Sequence, residues 1–189
     1  MPTTPLTASN MRRGTGAGRH PGGAGRDHGA CQKGATDKRC GGVTEDEAKL
    51  WLQEHHPVSR ETEEKLEAFI AFLKREAASQ NLISASTLDH IWDRHIVDSA
   101  QLLRFCPNAP QTWIDLGSGA GFPGIVVALL SDHQVTLVES RGRRIDYLQR
   151  AIALLDLEAR VIVAGMPLER VETGPYSVIV ARAFAPLGR

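Results

Sequence analysis

The stretch Thr112 to Gly124, TWIDLGSGAGFPG, decides the fold of this chain. Trp113 and Ile114 form an apolar, β-prone run that leads into Asp115, and four glycines follow within the next nine residues. A strand that runs into a glycine-rich loop and then a helix leaves backbone N–H groups open, so that a ligand can lie directly against the main chain. The stretch therefore predicts a nucleotide-cofactor site. A tight turn without a ligand is the alternative, which the number of glycines disfavours.

The next strand supplies an acid at the expected distance. The run QVTLVE (134–139) predicts a second strand that ends in Glu139, 22 residues after Gly117. That is close to the ~20-residue spacing of a ribose-binding carboxylate in a βαβ unit. We expect Glu139 to hold the ribose hydroxyls of the cofactor.

Strands and helices alternate from this point onward. The pattern predicts helices over about 123–130 and 141–155, and further strands over 159–164 and within YSVIVARAF (176–184). Alternating elements with short connections are typical of a parallel, doubly wound α/β sheet.

A helical subdomain over 44–108 precedes the glycine loop. Thr44 and Glu47 form the T-x-x-E capping box of a first helix, and Ser59 is a candidate cap of a second. A third helical segment is expected over about 86–105. The second helix carries apolar residues at i, i+3, i+4 and i+7, which form one amphipathic stripe: Leu66, Phe69, Ile70 and Leu73.

The chain has zero net charge, but the charge is unevenly distributed. The first 42 residues hold seven Lys/Arg against two Asp, so this segment carries +5 and the remainder −5. Residues 1–43 are rich in Gly and Arg and poor in large apolar side chains, and we expect them to be disordered. A basic segment of this kind can contact polyanions, although disorder without a partner is an equally good interpretation.

Cysteine and hydropathy patterns exclude several classes. The three cysteines form no Cys-x-x-Cys pair, no histidines stand at zinc-finger spacing, and we expect no metal site. An odd number of scattered cysteines favours a reducing compartment. No apolar run approaches the ~18 residues needed to span a membrane. We therefore expect a cytoplasmic protein without membrane contact, and a monomer.

Two cofactors fit the glycine loop. Gly119-x-Gly121-x-x-Gly124 satisfies the dinucleotide fingerprint, so a nicotinamide-dependent oxidoreductase is one hypothesis. However, Asp115 stands two residues before the first glycine, where a carboxylate would repel a pyrophosphate and attract a cation. This favours S-adenosyl-L-methionine, which carries a sulfonium and an α-amino group.

Four runs together resemble one family. They are NLISASTLDHIWDRHIVDS (81–99), WIDLGSGAGFPGI (113–125), VESRGRRIDYL (138–148) and VARAFAPL (180–187). In this order they resemble RsmG, also called GidB, the bacterial 16S rRNA guanine-N7 methyltransferase family, over about residues 44–189. The resemblance implies a class I, Rossmann-like methyltransferase domain with a helical N-terminal extension. It also implies N7-methylation of a guanosine in the 530-loop region of 16S rRNA, within the 30S ribosomal subunit.

The loop pattern and the resemblance together assign candidate cofactor-binding residues along the carboxyl edge of the sheet; Asp115, Gly119 and Gly121 come from the loop pattern. The strand-end acids are Asp115 and Glu139, and the loop positions are Gly117, Gly119, Gly121 and Phe122. The pair expected beside the adenine is Leu168 and Glu169, and the arginine after the fourth strand is Arg182.

Candidate catalytic and RNA-binding residues are all basic. Arg182 is expected to face the reaction, and Arg94 and His95 to contact the cofactor carboxylate or a substrate phosphate. The spacing of Arg94 and Asp98 (i, i+4) is also typical of a plain intrahelical salt bridge. A phosphate-binding patch is expected from three arginines after the second strand: Arg141, Arg143 and Arg144.

Relatives continue past A-R-A-F-A-P-L with further helices and three more strands, so residues 109–189 are expected to form an incomplete domain. A sheet that ends after four strands would leave an apolar edge. A third hypothesis is therefore a truncated, inactive relative that only binds the cofactor or RNA.

Overall fold

The computed structural model of the chain describes residues 43–107, 109–172 and 174–182. The expected disorder of the N-terminal segment falls on residues outside these ranges, apart from Val43.

Two regular helices open the described part. Helix α1 covers Glu45–His55 and helix α2 covers Arg60–Ala77. The predicted capping box is present, since the Thr44 hydroxyl accepts from the Glu47 amide while the Glu47 carboxylate accepts from the Thr44 amide. The stripe predicted for α2 is buried, and so this helix faces the core.

The third helical segment is present but irregular. A 3₁₀-helix (Ala85–His90) leads into a π-helix (Trp92–Val97), a short α3 (Asp98–Ala100) and a second 3₁₀-helix (Gln101–Phe105). The sequence predicted one continuous helix here. The Ser99 hydroxyl donates to the carbonyl of His95 and so competes with the regular i→i+4 ladder at this turn. A π-turn of this kind changes which side chains share a helix face.

Four parallel strands form the sheet, in the order β3-β2-β1-β4. They are β1 (Thr112–Leu116), β2 (Gln134–Val138), β3 (Val161–Ala164) and β4 (Val178–Ala181). Helix α4 (Gly124–Leu130) joins β1 to β2, and helix α5 (Gly142–Leu154) joins β2 to β3. The predicted parallel α/β fold is confirmed. Because the strand order reverses at β1, the carboxyl ends of β1, β2 and β4 border a crevice where ligands bind in such sheets.

One face of the sheet carries the core. Trp113, Val135, Leu137 and Val161 point to the side where α2, α4 and α5 pack, and they share one hydrophobic cluster with those helices. The helical segment and the sheet therefore share a continuous hydrophobic core among the described residues.

The opposite face of the sheet is less well covered. Ile162 on β3 is 63% exposed and Ile179 on β4 is 67% exposed, although both pair in register with the interior strands. Within the described ranges β4 pairs only with β1, so its outer edge is open there.

No helix in the described part of the chain is long and apolar enough to cross a membrane.

Candidate functional site

The glycine loop lies at the carboxyl ends of β1 and β2, as the sequence predicts. The amides of Gly117 and Ser118 both donate to the carbonyl of Val138, at 3.0 and 2.9 Å, which ties the loop to the end of β2. Gly121 has a φ of +91°, and a Cβ built on it would lie 2.5 Å from Cδ1 of Ile125. A side chain at this position would be both strained and crowded, so the loop requires glycine here.

Asp115 supports the loop from below. It is fully buried on β1, and its Oδ2 accepts from the amide of Gly124 at 3.1 Å. Burial raises the pKa of this carboxyl to about 7, although the hydrogen bond from Gly124 and the positive charge of Arg182 both act to lower it. We expected a carboxylate beside the cofactor, but Asp115 lines neither cavity described below. Its predicted cofactor-binding role would therefore act through the loop.

The Glu139 cavity, of about 360 Å³, lies beyond the end of β2. Oε1 of Glu139 accepts from the amides of Ser140 (2.8 Å) and Arg141 (3.0 Å). Its second oxygen, Oε2, lies 3.7 Å from Nη1 of Arg144. These contacts hold the carboxylate in one orientation. The lining also includes the segment after β3, and its residues are Gly117, Val138, Glu139, Ser140, Arg141, Arg144, Met166, Pro167, Leu168 and Glu169.

The predicted Leu168–Glu169 pair thus lies across from Glu139. Both residues belong to a short 3₁₀-helix, Leu168–Arg170, that follows β3. An apolar Leu168 wall across from an acidic strand end is compatible with a nucleoside, because the flat faces of the base pack on apolar surface and the ribose offers hydroxyl donors.

The His95 cavity, of about 320 Å³, lies on the other side of the loop. Arg182, directly after β4, donates to the carbonyl of Arg94 at 3.1 Å and contacts Nδ1 of His95. The imidazole stacks on Phe122, with ring centroids 4.7 Å apart. The lining residues are Leu82, Ile83, Ser84, Thr87, His95, Gly117, Ser118, Gly119, Ala120, Phe122, Arg144 and Arg182.

The two cavities adjoin. Gly117 and Arg144 line both of them, and Arg144 also donates to the carbonyl of Asn81 at 2.9 Å. Together the cavities form a groove across the carboxyl ends of the strands, with an acid at one end and a guanidinium at the other.

The structure separates the three arginines predicted as one RNA-binding patch. Arg141 and Arg144 line the groove, whereas Arg143 lies on a different surface beside Glu76 and Asp146. Side chains one position apart on a helix point in directions about 100° apart, so Arg143 and Arg144 cannot share a face.

Arg94 is also placed differently from the prediction. Its side chain is 67% exposed and lies 3.7 Å from Asp93, and only its carbonyl reaches the groove. The alternative i, i+4 pair with Asp98 does not form in the described structure, because Arg94 lies within the π-helix and Asp98 follows directly after it, where the regular α-helical spacing is lost. His95 and Arg182, both candidate catalytic residues, lie in contact at the His95 cavity.

Several residues of the groove were not predicted. Leu82, Ile83, Ser84 and Thr87 form one wall of the His95 cavity. Tyr147 of α5 fixes the loop by donating its hydroxyl to the carbonyl of Ala120, at 3.1 Å. Leu82, Ile83 and Ser84 precede the helical segment expected over about 86–105, and Thr87 stands near its start. Only tertiary packing brings these residues to the site.

In the described ranges, no three His, Cys, Asp or Glu side chains are grouped so as to hold a metal ion.

Comparison with known proteins supports one family. The model of the GidB family, rRNA small subunit methyltransferase G, matches residues 62–189. Ribosomal RNA small subunit methyltransferase G from Zymomonas mobilis is 49% identical over 155 residues, covering 78% of this chain and 69% of that protein. The protein of the same name from Rhizorhabdus wittichii is 52% identical, and the match covers 78% of this chain and 68% of that protein. The one from Sphingopyxis alaskensis is also 52% identical, and the match covers 75% of this chain and 61% of that protein. The chain thus spans about two thirds of the length of these relatives.

Among solved structures, the O-methyltransferase from Bacillus cereus in complex with SAH aligns at 17% identity and a TM-score of 0.44. The alignment covers 71% of this chain and 59% of that one.

The sequence matches confirm a methyltransferase that uses S-adenosyl-L-methionine, in preference to the nicotinamide-dependent oxidoreductase. With a family model matching two thirds of its residues and relatives at about 50% identity, the chain belongs to the GidB family of rRNA small subunit methyltransferase G.

Proposed function

We propose that this protein methylates N7 of a guanosine in the 530-loop region of 16S rRNA, on the 30S subunit, with S-adenosyl-L-methionine as the methyl donor. The observation that supports the proposal is the continuous groove, which has Glu139 at one end and Arg182 at the other and an open glycine main chain between them. We further propose that it acts as a monomer in the cytoplasm.

The residues of the groove fit S-adenosyl-L-methionine. Oε2 of Glu139 makes no hydrogen bond to another described residue and faces the Glu139 cavity, where it can accept from ribose hydroxyls. Leu168 offers an apolar surface to the adenine ring. At the other end Arg182 offers guanidinium donors to the methionine carboxylate, which is a strong charge-assisted pairing. The bound cofactor supplies an electrophilic methyl group on sulfur.

The reaction places few chemical demands on the protein. N7 of guanine has a free lone pair and carries no proton, so its attack on a methyl group needs no general base. The rate should then depend on alignment of the two reactants and on exclusion of water. The groove suits the alignment of two reactants, because its walls are held rigidly. They come from β1, β2, β4 and the segment before the π-helix, and these elements share one packed core.

Besides Arg182, the arginines that line the groove are Arg141 and Arg144, and we assign these two to the contact with RNA phosphates. Phosphate contacts of this kind contribute affinity that weakens as salt is raised. Arg143, on the separate surface, would contribute only if the RNA extends across α5.

The test is methyl transfer from labelled S-adenosyl-L-methionine to 30S subunits that lack the modification, followed by mapping of the labelled nucleotide. We expect label at N7 of one guanosine, with strong losses for Arg182→Gln and Glu139→Gln. Arg60→Gln, an exposed arginine at the start of α2, is the charge-matched control and should retain activity.

Label on another position would overturn the assigned target. Cofactor binding without any transfer would instead support the hypothesis of an inactive relative that only binds. Loss of cofactor binding in the Glu139 and Arg182 variants, but not in the Arg60 variant, would support their assigned places in the groove.

A further inference from the structure

His95 is enclosed between two groups of the groove. Its side chain is only 6% exposed, one ring face stacks on Phe122 at an interplanar angle of 17°, and Nδ1 contacts Nη2 of Arg182. The other ring nitrogen, Nε2, is buried and has no hydrogen-bond partner among the described residues. Nδ1 is therefore engaged and Nε2 is shielded from solvent, whereas the sequence analysis expected His95 to contact the cofactor carboxylate or a substrate phosphate.

The contact with Arg182 fixes the protonation state of the imidazole. A guanidinium only donates hydrogen bonds, so Nδ1 must present its lone pair, and the single ring proton must be on Nε2. A second proton on the ring would place an N–H group against an N–H group and one positive charge against another. Burial first, and then the charge of Arg182, lower the pKa of His95 to about 4, which agrees with a neutral ring.

The surroundings of Arg182 act on its charge in opposite directions. Asp98, directly after the π-helix, and Asp115 on β1 act on the guanidinium and partly offset the effect of burial, which lowers the pKa of Arg182. The guanidinium also lies 5.9 Å from the ring of Phe122. His95 and the carbonyl of Arg94 are the two acceptors that hold it in the described structure.

We infer that His95 is a positioning residue, whose neutral imidazole fixes the guanidinium of Arg182 at the His95 cavity in the orientation that the bound reactants require. The inference rests on the proposed function, because Arg182 is assigned there to the cofactor. In this role His95 acts through Arg182 rather than directly on a reactant. The π-helix that carries His95 contributes to the site, because it directs this side chain toward the end of β4.

Two substitutions separate the acceptor from the ring. His95→Asn keeps an acceptor near the place of Nδ1 but removes the aromatic face, whereas His95→Phe keeps the stack on Phe122 but removes the acceptor. Losing a hydrogen bond to a charged group should lower kcat/KM for 30S methylation by about ten- to a hundred-fold in His95→Phe. His95→Asn should recover a substantial part of that loss.

A double-mutant cycle tests whether His95 acts through Arg182. In an Arg182→Gln background, His95→Phe should cause little further loss, because the group it positions is already gone. Equal losses in both backgrounds, or an Asn variant as poor as the Phe variant, would overturn the inference. Thermal melting of each variant shows whether a loss follows from unfolding.

Nuclear magnetic resonance gives a measurement that does not depend on activity. In the wild-type chain the His95 ring should carry its proton on Nε2, and its titration midpoint should rise in Arg182→Gln. An Nδ1-protonated ring, or a midpoint unchanged by that substitution, would refute the inference. If the wild-type protein transferred no methyl group while these signals behaved as expected, only the proposed function would fail.

Discussion

The buried acid under the glycine loop should make the stability of this protein depend on pH. Asp115 has a pKa of about 7 in the folded chain, compared with an ordinary value of 3.8. Between these values the native state binds more protons than the unfolded state, so stability falls as the pH rises through this window. The difference between the two pKa values corresponds to about 4 kcal/mol, which is an upper limit for the loss between pH 4 and pH 8.

Asp115→Asn is the perturbation that isolates this effect. An amide has nearly the same shape as the neutral acid, and its oxygen can still accept from the Gly124 amide, but it does not ionise. All other titrating groups are shared by the two proteins, so the difference between their unfolding free energies reports Asp115 alone. The two unfolding free energies should be closest near pH 4, and their difference should grow by about 2–3 kcal/mol in favour of the variant between pH 5 and pH 8.

The assay is urea unfolding of both proteins at pH 5, 6, 7 and 8. Asp146→Asn, at an exposed position on α5, is the matched control and should follow the wild type at each pH. A stability difference between wild type and Asp115→Asn that stays constant from pH 5 to pH 8 would show that the folded Asp115 is ionised throughout. A wild type more stable than the variant at pH 8 would refute the reasoning.

Three further substitutions test the scaffold around the site by the same unfolding assay. Thr44→Ala should cost about 1 kcal/mol, because it removes the cap of α1; an unchanged stability would mean that this end of the helix frays in the native state. Tyr147→Phe should cost about 1–3 kcal/mol, because the buried Ala120 carbonyl loses its donor; a cost near zero would mean that water replaces the hydroxyl. Gly121→Ala should cost about 1–2 kcal/mol from its positive φ alone, with crowding in addition. Gly142→Ala, where a Cβ meets nothing within 4 Å, should be neutral or stabilising, and equal losses at the two glycines would contradict this account.

Local chemistry made much of the fold predictable. Glycine at 121 is required by the backbone angle of its own residue, and the Thr44 capping box depends on groups three residues apart. The position of Glu139 follows from the length of one βαβ unit, and the carboxyl ends of parallel strands meet at one edge of the sheet. Each of these signals lies within a short stretch of chain.

Which side chains line the groove could not be read from the sequence, because it depends on packing between distant segments. Arg143 and Arg144 look equivalent in sequence, yet the direction of each side chain on α5 places only Arg144 between the cavities. Asp115 was expected as a carboxylate beside the cofactor, but the packing of α4 on β1 and β2 buries it beneath the loop and raises its pKa.

The sequence alone determined the order of strands and helices, the glycine loop and the acid at the end of β2, because backbone conformation and element length are local properties. Only the tertiary structure decided that His95 meets Arg182, 87 residues away, and that Arg94 turns outward. That contact depends on a π-turn and on the parallel pairing of β4 with β1, which bring two distant segments together at the same edge of the sheet.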